Sequence, residues 1–126
     1  MIAFKRLESV EEWMNLHPKL REVLIYLLAE AWPKTVDMAV TRIFSPEMPG
    51  ESGVHRTTPH RAADIRTSVL PDVEVQAIVK RINNAFDYGG EPGKNVALFH
   101  QVPGSVMHLH IQVRDETKRR VFGTGV

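Results

Sequence analysis

Histidine and aspartate side chains form the most informative chemical pattern in the chain. His108 and His110 are separated by one residue, and an upstream segment contains His55, His60 and Asp64. Alternate residues of a β-strand point to the same side, so His108 and His110 share a face if their segment is a strand. Histidine nitrogens and carboxylate oxygens suit zinc, and three protein ligands leave a fourth position for water. The pattern therefore predicts a catalytic metal site rather than a structural one.

Composition narrows both the metal chemistry and the class of partner. The chain has 126 residues, no cysteine and a formal net charge of +1. Thiolate ligands and disulfides are excluded, so Zn²⁺, the predicted cofactor, must be held by His, Asp or Glu. A nearly neutral chain is not expected to bind nucleic acid through charge. Its length predicts a single domain spanning residues 1–126.

Hydropathy gives no indication of a membrane segment or a signal peptide. The longest apolar stretch, residues 23–31, contains Tyr26 and Glu30 and is too short to span a bilayer. The first residues lack the apolar core of a signal peptide. We therefore expect synthesis in the cytoplasm, and action on a cell wall only after release by a partner. The sequence does not indicate an oligomeric state.

Helical periodicity defines the elements that would support the site. Apolar residues recur at helical spacing between Pro18 and Trp32, where Pro33 would end the helix. A second such stretch follows Pro71 and extends to about Phe86. Ser9 and Glu12 have the spacing of a capping box, which predicts a short helix before the other two.

Strand patterns place the candidate ligands on a sheet. Residues 36–44 are rich in β-branched side chains, and residues 61–67, which include Asp64, are predicted to form a short strand. Residues 95–102 and 106–114 read as two arms of a hairpin, and the second arm alternates cleanly between apolar and polar residues. A three-residue turn would place His100 opposite His108.

Helices and strands are mixed without regular βαβ alternation. This order predicts an α+β fold, with an antiparallel sheet and helices packed on one face. The polar residues 115–126 are predicted to form a loosely held tail.

The histidine and aspartate motifs resemble those of the D-alanyl-D-alanine carboxypeptidase family of zinc peptidases. That superfamily also contains lysostaphin-type enzymes, Hedgehog-type domains and small phage proteins. The resemblance rests on Gly53-Val54-His55, on Ala62-Ala63-Asp64 and on His108-Leu109-His110, and it spans most of the chain. It implies a Hedgehog/DD-peptidase-like fold and a small, phage-like member.

The resemblance also implies a role for each matching residue. His55, Asp64 and His110 would be the zinc ligands, and His108 would be the neighbouring catalytic histidine. Arg42 would hold an acidic group of the substrate. Arg66 and His100 are further candidates for substrate contact.

Three departures from the family pattern leave alternatives open. His55 and Asp64 are separated by two residues more than in the family pattern, which an insertion before His60 would explain. His60 lies four residues before Asp64, the spacing of the lysostaphin branch, and is a rival to His55 as the first ligand. Many carboxypeptidases of the family have a glutamate base where this chain has Met107.

The resemblance implies a zinc metallopeptidase, acting as a carboxypeptidase or endopeptidase on peptide stems of bacterial peptidoglycan. Zinc-activated water would hydrolyse the bond. Because Met107 replaces the expected glutamate, the alternative is a non-catalytic, peptidase-like module with a structural or binding role in a phage.

Overall fold

Helices and a mainly antiparallel sheet are combined in an α+β architecture. A computed structural model of the chain describes the backbone of residues 2–4, and both backbone and side chains of residues 12–43, 54, 57–101 and 107–120. The elements in chain order are β1 (Ile2–Phe4), α1 (Pro18–Tyr26), β2 (Met38–Arg42), β3 (Ala62–Arg66), α2 (Asp72–Ala85), β4 (Phe86–Asp87), β5 (Ala97–His100), β6 (His108–Gln112) and β7 (Lys118–Arg119). Residues 12–14 are also helical, whereas Ser9 lies outside the described residues.

The main sheet has five strands in the order β1-β2-β3-β6-β5. Strands β2, β3, β6 and β5 are antiparallel to their neighbours, and β1 joins the edge parallel to β2. The predicted register of the hairpin is confirmed, because His100 lies opposite His108 and Leu98 opposite His110. The predicted turn at residues 103–105 lies outside the described residues.

Both helices bury their apolar stripes against one face of this sheet, as predicted. A single core cluster contains apolar side chains of α1, of α2 and of strands β2, β3, β5 and β6: Leu20, Val23, Leu24, Val75, Ile78, Ile82, Met38, Val40, Ala63, Ile65, Ala97, Leu109 and Ile111. Within the described residues, no helix combines the length and apolar character needed to cross a bilayer.

Helix α1 begins at Pro18, with His17 as its N-cap. The His17 ring accepts a hydrogen bond from the Lys19 backbone N–H through Nδ1, at 3.0 Å. Its Nε2 contacts Asp115 Oδ1 at 2.7 Å, and this hydrogen bond lowers the pKa of the Asp115 carboxyl. The helix continues into a π-helical turn, Leu27–Ala31, which widens the backbone before Pro33.

The side chain of Asn83 on α2 holds the first residue of β5. Asn83 donates to the Ala97 carbonyl and accepts from the Ala97 N–H, both at 2.9 Å. The amide therefore matches the hydrogen-bonding pattern of a neighbouring strand. It ties the strand that contains His100 to the helical layer.

Part of the segment predicted to be a loose tail is anchored. Thr117 is buried, and its hydroxyl donates to the Tyr88 carbonyl at 2.7 Å. Lys118 and Arg119 pair with β4 as strand β7. Residues 121–126 lie outside the described residues.

Candidate metal centre

Strands β3 and β6 place Asp64 beside His110. The two residues are directly opposite in the antiparallel register, so their side chains project from the same face. Asp64 Oδ1 lies 2.9 Å from His110 Nδ1. Two of the predicted zinc ligands, far apart in sequence, are therefore in direct contact.

The second carboxylate oxygen of Asp64 faces two further groups. Its Oδ2 lies 3.4 Å from His108 Nε2 and 3.7 Å from Arg42 Nη1. Arg42 reaches the cluster because β2 pairs with β3 in a register that sets Arg42 opposite Asp64. Asp64 thus brings three sequence-predicted site residues together: His110, His108 and Arg42.

His100 on β5 completes a group of three histidines. Its ring centroid lies 4.9 Å from that of His108 and 5.0 Å from that of His110. One ring nitrogen from each of His100, His108 and His110 lies within 4.8 Å of the others, which is close enough to hold a metal ion. Sequence reasoning assigned His100 to substrate contact and missed it as a possible ligand, although the hairpin register contained the signal.

Asp64, His108 and His110 are buried although they are polar, and His100 is half-buried. The exposed fraction is 3% for Asp64, 4% for His110 and 8% for His108. Burying polar and charged groups costs free energy unless they have partners, because water would otherwise solvate them. Retaining three such side chains on one sheet face is therefore typical of a functional site rather than of a core.

The donor set and its spacing fit a zinc ion. Two donors bound at about 2.0–2.1 Å in tetrahedral geometry lie roughly 3.3 Å apart. The separation of Asp64 Oδ1 and His110 Nδ1, the two predicted ligands in contact, is 2.9 Å and is close to this value. Imidazole nitrogen and carboxylate oxygen also suit zinc chemically.

The second nitrogen of the His110 ring has a defined partner that sequence reasoning missed. His110 Nε2 lies 3.1 Å from Gln112 Oε1, and the Gln112 amide nitrogen donates to the Asn95 carbonyl at 2.9 Å. Gln112 follows His110 at the strand period and faces the same side. That alternation was the signal that could have identified it.

The remaining predicted residues lie around or outside this cluster. His60 is buried, and its Nδ1 donates to the Thr57 carbonyl at 2.8 Å. It does not belong to the three-histidine group found among the described residues. Arg66 is exposed at the end of β3, opposite His108. His55 lies outside the described residues, so the choice between His55 and His60 stays a prediction.

Met107, which stands where a glutamate base is common in the family, precedes β6. Its side chain is 41% exposed, and its carbonyl accepts from the Thr67 hydroxyl at 3.4 Å. A thioether neither donates nor accepts a proton near neutral pH, so proton transfer would have to use another group.

Comparisons with known proteins add no assignment to this geometry. No family model, no curated protein and no solved structure matches the chain.

Proposed function

We propose that the chain is a zinc-dependent peptidase of the D-alanyl-D-alanine carboxypeptidase superfamily, with a Hedgehog/DD-peptidase-like fold. Its substrate would be a peptide stem of bacterial peptidoglycan. The observation that carries the proposal is the buried contact of Asp64 with both His110 and His108 on one sheet face. The substrate class rests on the resemblance of the Ala62-Ala63-Asp64 and His-x-His motifs.

Each residue of the cluster has a role in this proposal. When bound, zinc would lower the pKa of a water molecule and polarise the scissile carbonyl. Asp64 and His110 would hold the ion. His108, in contact with Asp64 Oδ2, would hold or move a proton at Nε2. Arg42 and Arg66 remain candidates for binding an acidic group of the substrate, because guanidinium groups bind carboxylates with two hydrogen bonds.

The third zinc ligand has two candidates with different support. The family resemblance favours His55, and the spacing of the ring nitrogens favours His100. Zinc content after dialysis distinguishes them. His55→Ala should lower the zinc content strongly in the first case, and His100→Ala in the second. His60→Ala should leave it unchanged in both, and a strong loss in that variant would instead make His60, the rival of His55, the ligand.

A test of the activity uses purified muropeptides, zinc and mass spectrometry. We expect the wild-type protein to release a product whose mass identifies the cleaved bond. The variant His110→Ala and the wild-type protein with a chelator should release none. Gln76→Ala, a change at an exposed position of α2, serves as the control and should cleave normally.

The second candidate function is a non-catalytic, peptidase-like module in a phage particle. Met107, in place of the expected glutamate, favours it. This function predicts that the wild-type protein, with zinc retained or lost, leaves muropeptides of several wall chemotypes intact. A protein that binds no zinc under zinc-replete conditions would contradict the peptidase proposal.

A further inference from the structure

The ring of His110 lies between two hydrogen-bond acceptors. Asp64 Oδ1 lies 2.9 Å from Nδ1, and Gln112 Oε1 lies 3.1 Å from Nε2. A neutral imidazole carries its proton on one nitrogen and a lone pair on the other. An amide oxygen only accepts, so the contact with Gln112 is a hydrogen bond only when Nε2 carries a proton. In a neutral ring the lone pair would then face the Asp64 carboxylate at 2.9 Å, and two acceptors would meet unless a cation lies between them: a second ring proton in the metal-free protein, or the zinc ion when it is bound.

The orientation of the Gln112 amide is itself fixed. Its nitrogen donates to the Asn95 carbonyl at 2.9 Å, and its backbone N–H donates to the Val96 carbonyl at 2.9 Å. Rotating the amide by half a turn would place Oε1 against the Asn95 carbonyl, so two acceptors would meet. The Asn95 carbonyl therefore determines which end of the amide faces His110.

We infer that Gln112 is a positioning residue that keeps the His110 proton on Nε2 and presents Nδ1 to the metal ion. This inference rests on the proposed function, since it concerns the same zinc site. Partners of this kind fix the tautomer and orientation of a ligating histidine, and removing one typically weakens metal binding about 10–100-fold.

The opposite neighbour of His110 cannot take this role. Leu98 lies across from His110 on β5 and has no polar group in its side chain. Asp64, on the β3 side, contacts Nδ1 and not Nε2. Among these strand neighbours, Gln112 is the side chain that contacts Nε2.

The test replaces the acceptor without a large change of volume. Gln112 borders a cavity of about 210 Å³ that is also lined by Thr57, Tyr88 and Lys94, so Gln112→Met has room to adjust. Gln112→Glu keeps an oxygen that can accept from Nε2. Gln76→Met makes the same chemical change at an exposed position of α2 and is the matched control.

Zinc affinity is measured by competition with a chelator, and the tautomer of His110 by long-range ¹H–¹⁵N NMR of its ring. We expect Gln112→Met to bind zinc about 10–100-fold more weakly. Gln112→Glu keeps the acceptor for Nε2 but loses the donor to the Asn95 carbonyl, and it should recover part of this loss. The zinc-loaded wild-type protein should carry its His110 proton on Nε2, whereas metal-free Gln112→Met should carry it on Nδ1, the nitrogen that faces the Asp64 carboxylate. Far-UV circular dichroism identifies any variant that fails to fold, and the wild-type tautomer then tests the inference alone.

The outcomes separate this inference from the proposed function. If wild-type and Gln112→Met proteins bind zinc equally, or if wild-type His110 binds through Nε2, the inference is wrong and the zinc site stands. If the wild-type protein binds no zinc, both are wrong.

Discussion

The two faces of strands β3 and β6 are both largely buried but chemically different. One face presents Ile65, Leu109 and Ile111 to the helices, all fully buried. The other presents Asp64 and His110, which are nearly as inaccessible. Burial stabilises the first face through the hydrophobic effect, whereas burial on the second must be offset by hydrogen bonds and ion pairs. The same strands therefore supply stability on one side and chemistry on the other.

The largest expected effect is on the apolar face. Leu109→Ala removes a fully buried side chain between its neighbours and should lower the free energy of unfolding by about 2–5 kcal/mol. Denaturant unfolding measures this loss of free energy, and Val73→Ala, a change at an exposed position, is the control. The zinc affinity of the folded variant should change little. A strong loss of zinc affinity in folded Leu109→Ala would contradict this separation of the faces.

Zinc should stabilise the protein through the polar face. At a free zinc concentration 100 times the Kd, the free energy of unfolding should rise by about 2.7 kcal/mol, because the ion binds the folded state. Thermal unfolding with zinc and with chelator measures the shift. His110→Ala should abolish it. An equal shift in that variant would place zinc binding elsewhere.

A smaller effect is expected at the junction between the helical layer and β5. Asn83→Ala removes both hydrogen bonds to Ala97 and should cost about 1–3 kcal/mol. The neighbouring exposed Asn84→Ala is the matched control. Equal unfolding free energies for the two variants would show that the Asn83 amide contributes no stability.

The smallest effect concerns pH and lies outside the sheet. Folding lowers the pKa of Asp115 through His17, so this contact stabilises the protein above the pKa of the unfolded carboxyl. The contribution is lost as pH falls through the folded value. The effect is small and weakened by salt, because the Asp115 side chain is 89% exposed. Carboxyl ¹³C NMR of wild type and of His17→Asn, which keeps an N-cap acceptor, should show the pKa rising in the variant.

Sequence periodicity was sufficient to predict most of the elements. The alternation from Met107 to Val113 separated the polar from the apolar residues of β6, and Pro18, Pro33 and Pro71 located the helix ends. These signals are local, since each depends on side-chain spacing or on the missing N–H of proline.

Contacts between distant segments were harder to predict. Nothing in residues 27–31 indicates the π-helical turn that follows α1. The two-residue strands β4 and β7 are too short to have a periodicity. The contact of Gln112 with Asn95 was not predicted, because it joins two segments that are distant in sequence. The alternation of β6 did indicate which face of the strand Gln112 occupies.

The two hydrogen bonds from Asn83 to Ala97 also affect how a second copy of the chain could pair with this sheet. Strand β5 lies at an edge of the sheet, where unpaired backbone groups can recruit another chain and begin aggregation. The Asn83 amide occupies both the N–H and the carbonyl of Ala97 on this edge. A single side chain thus blocks the first position at which a foreign strand could extend the sheet.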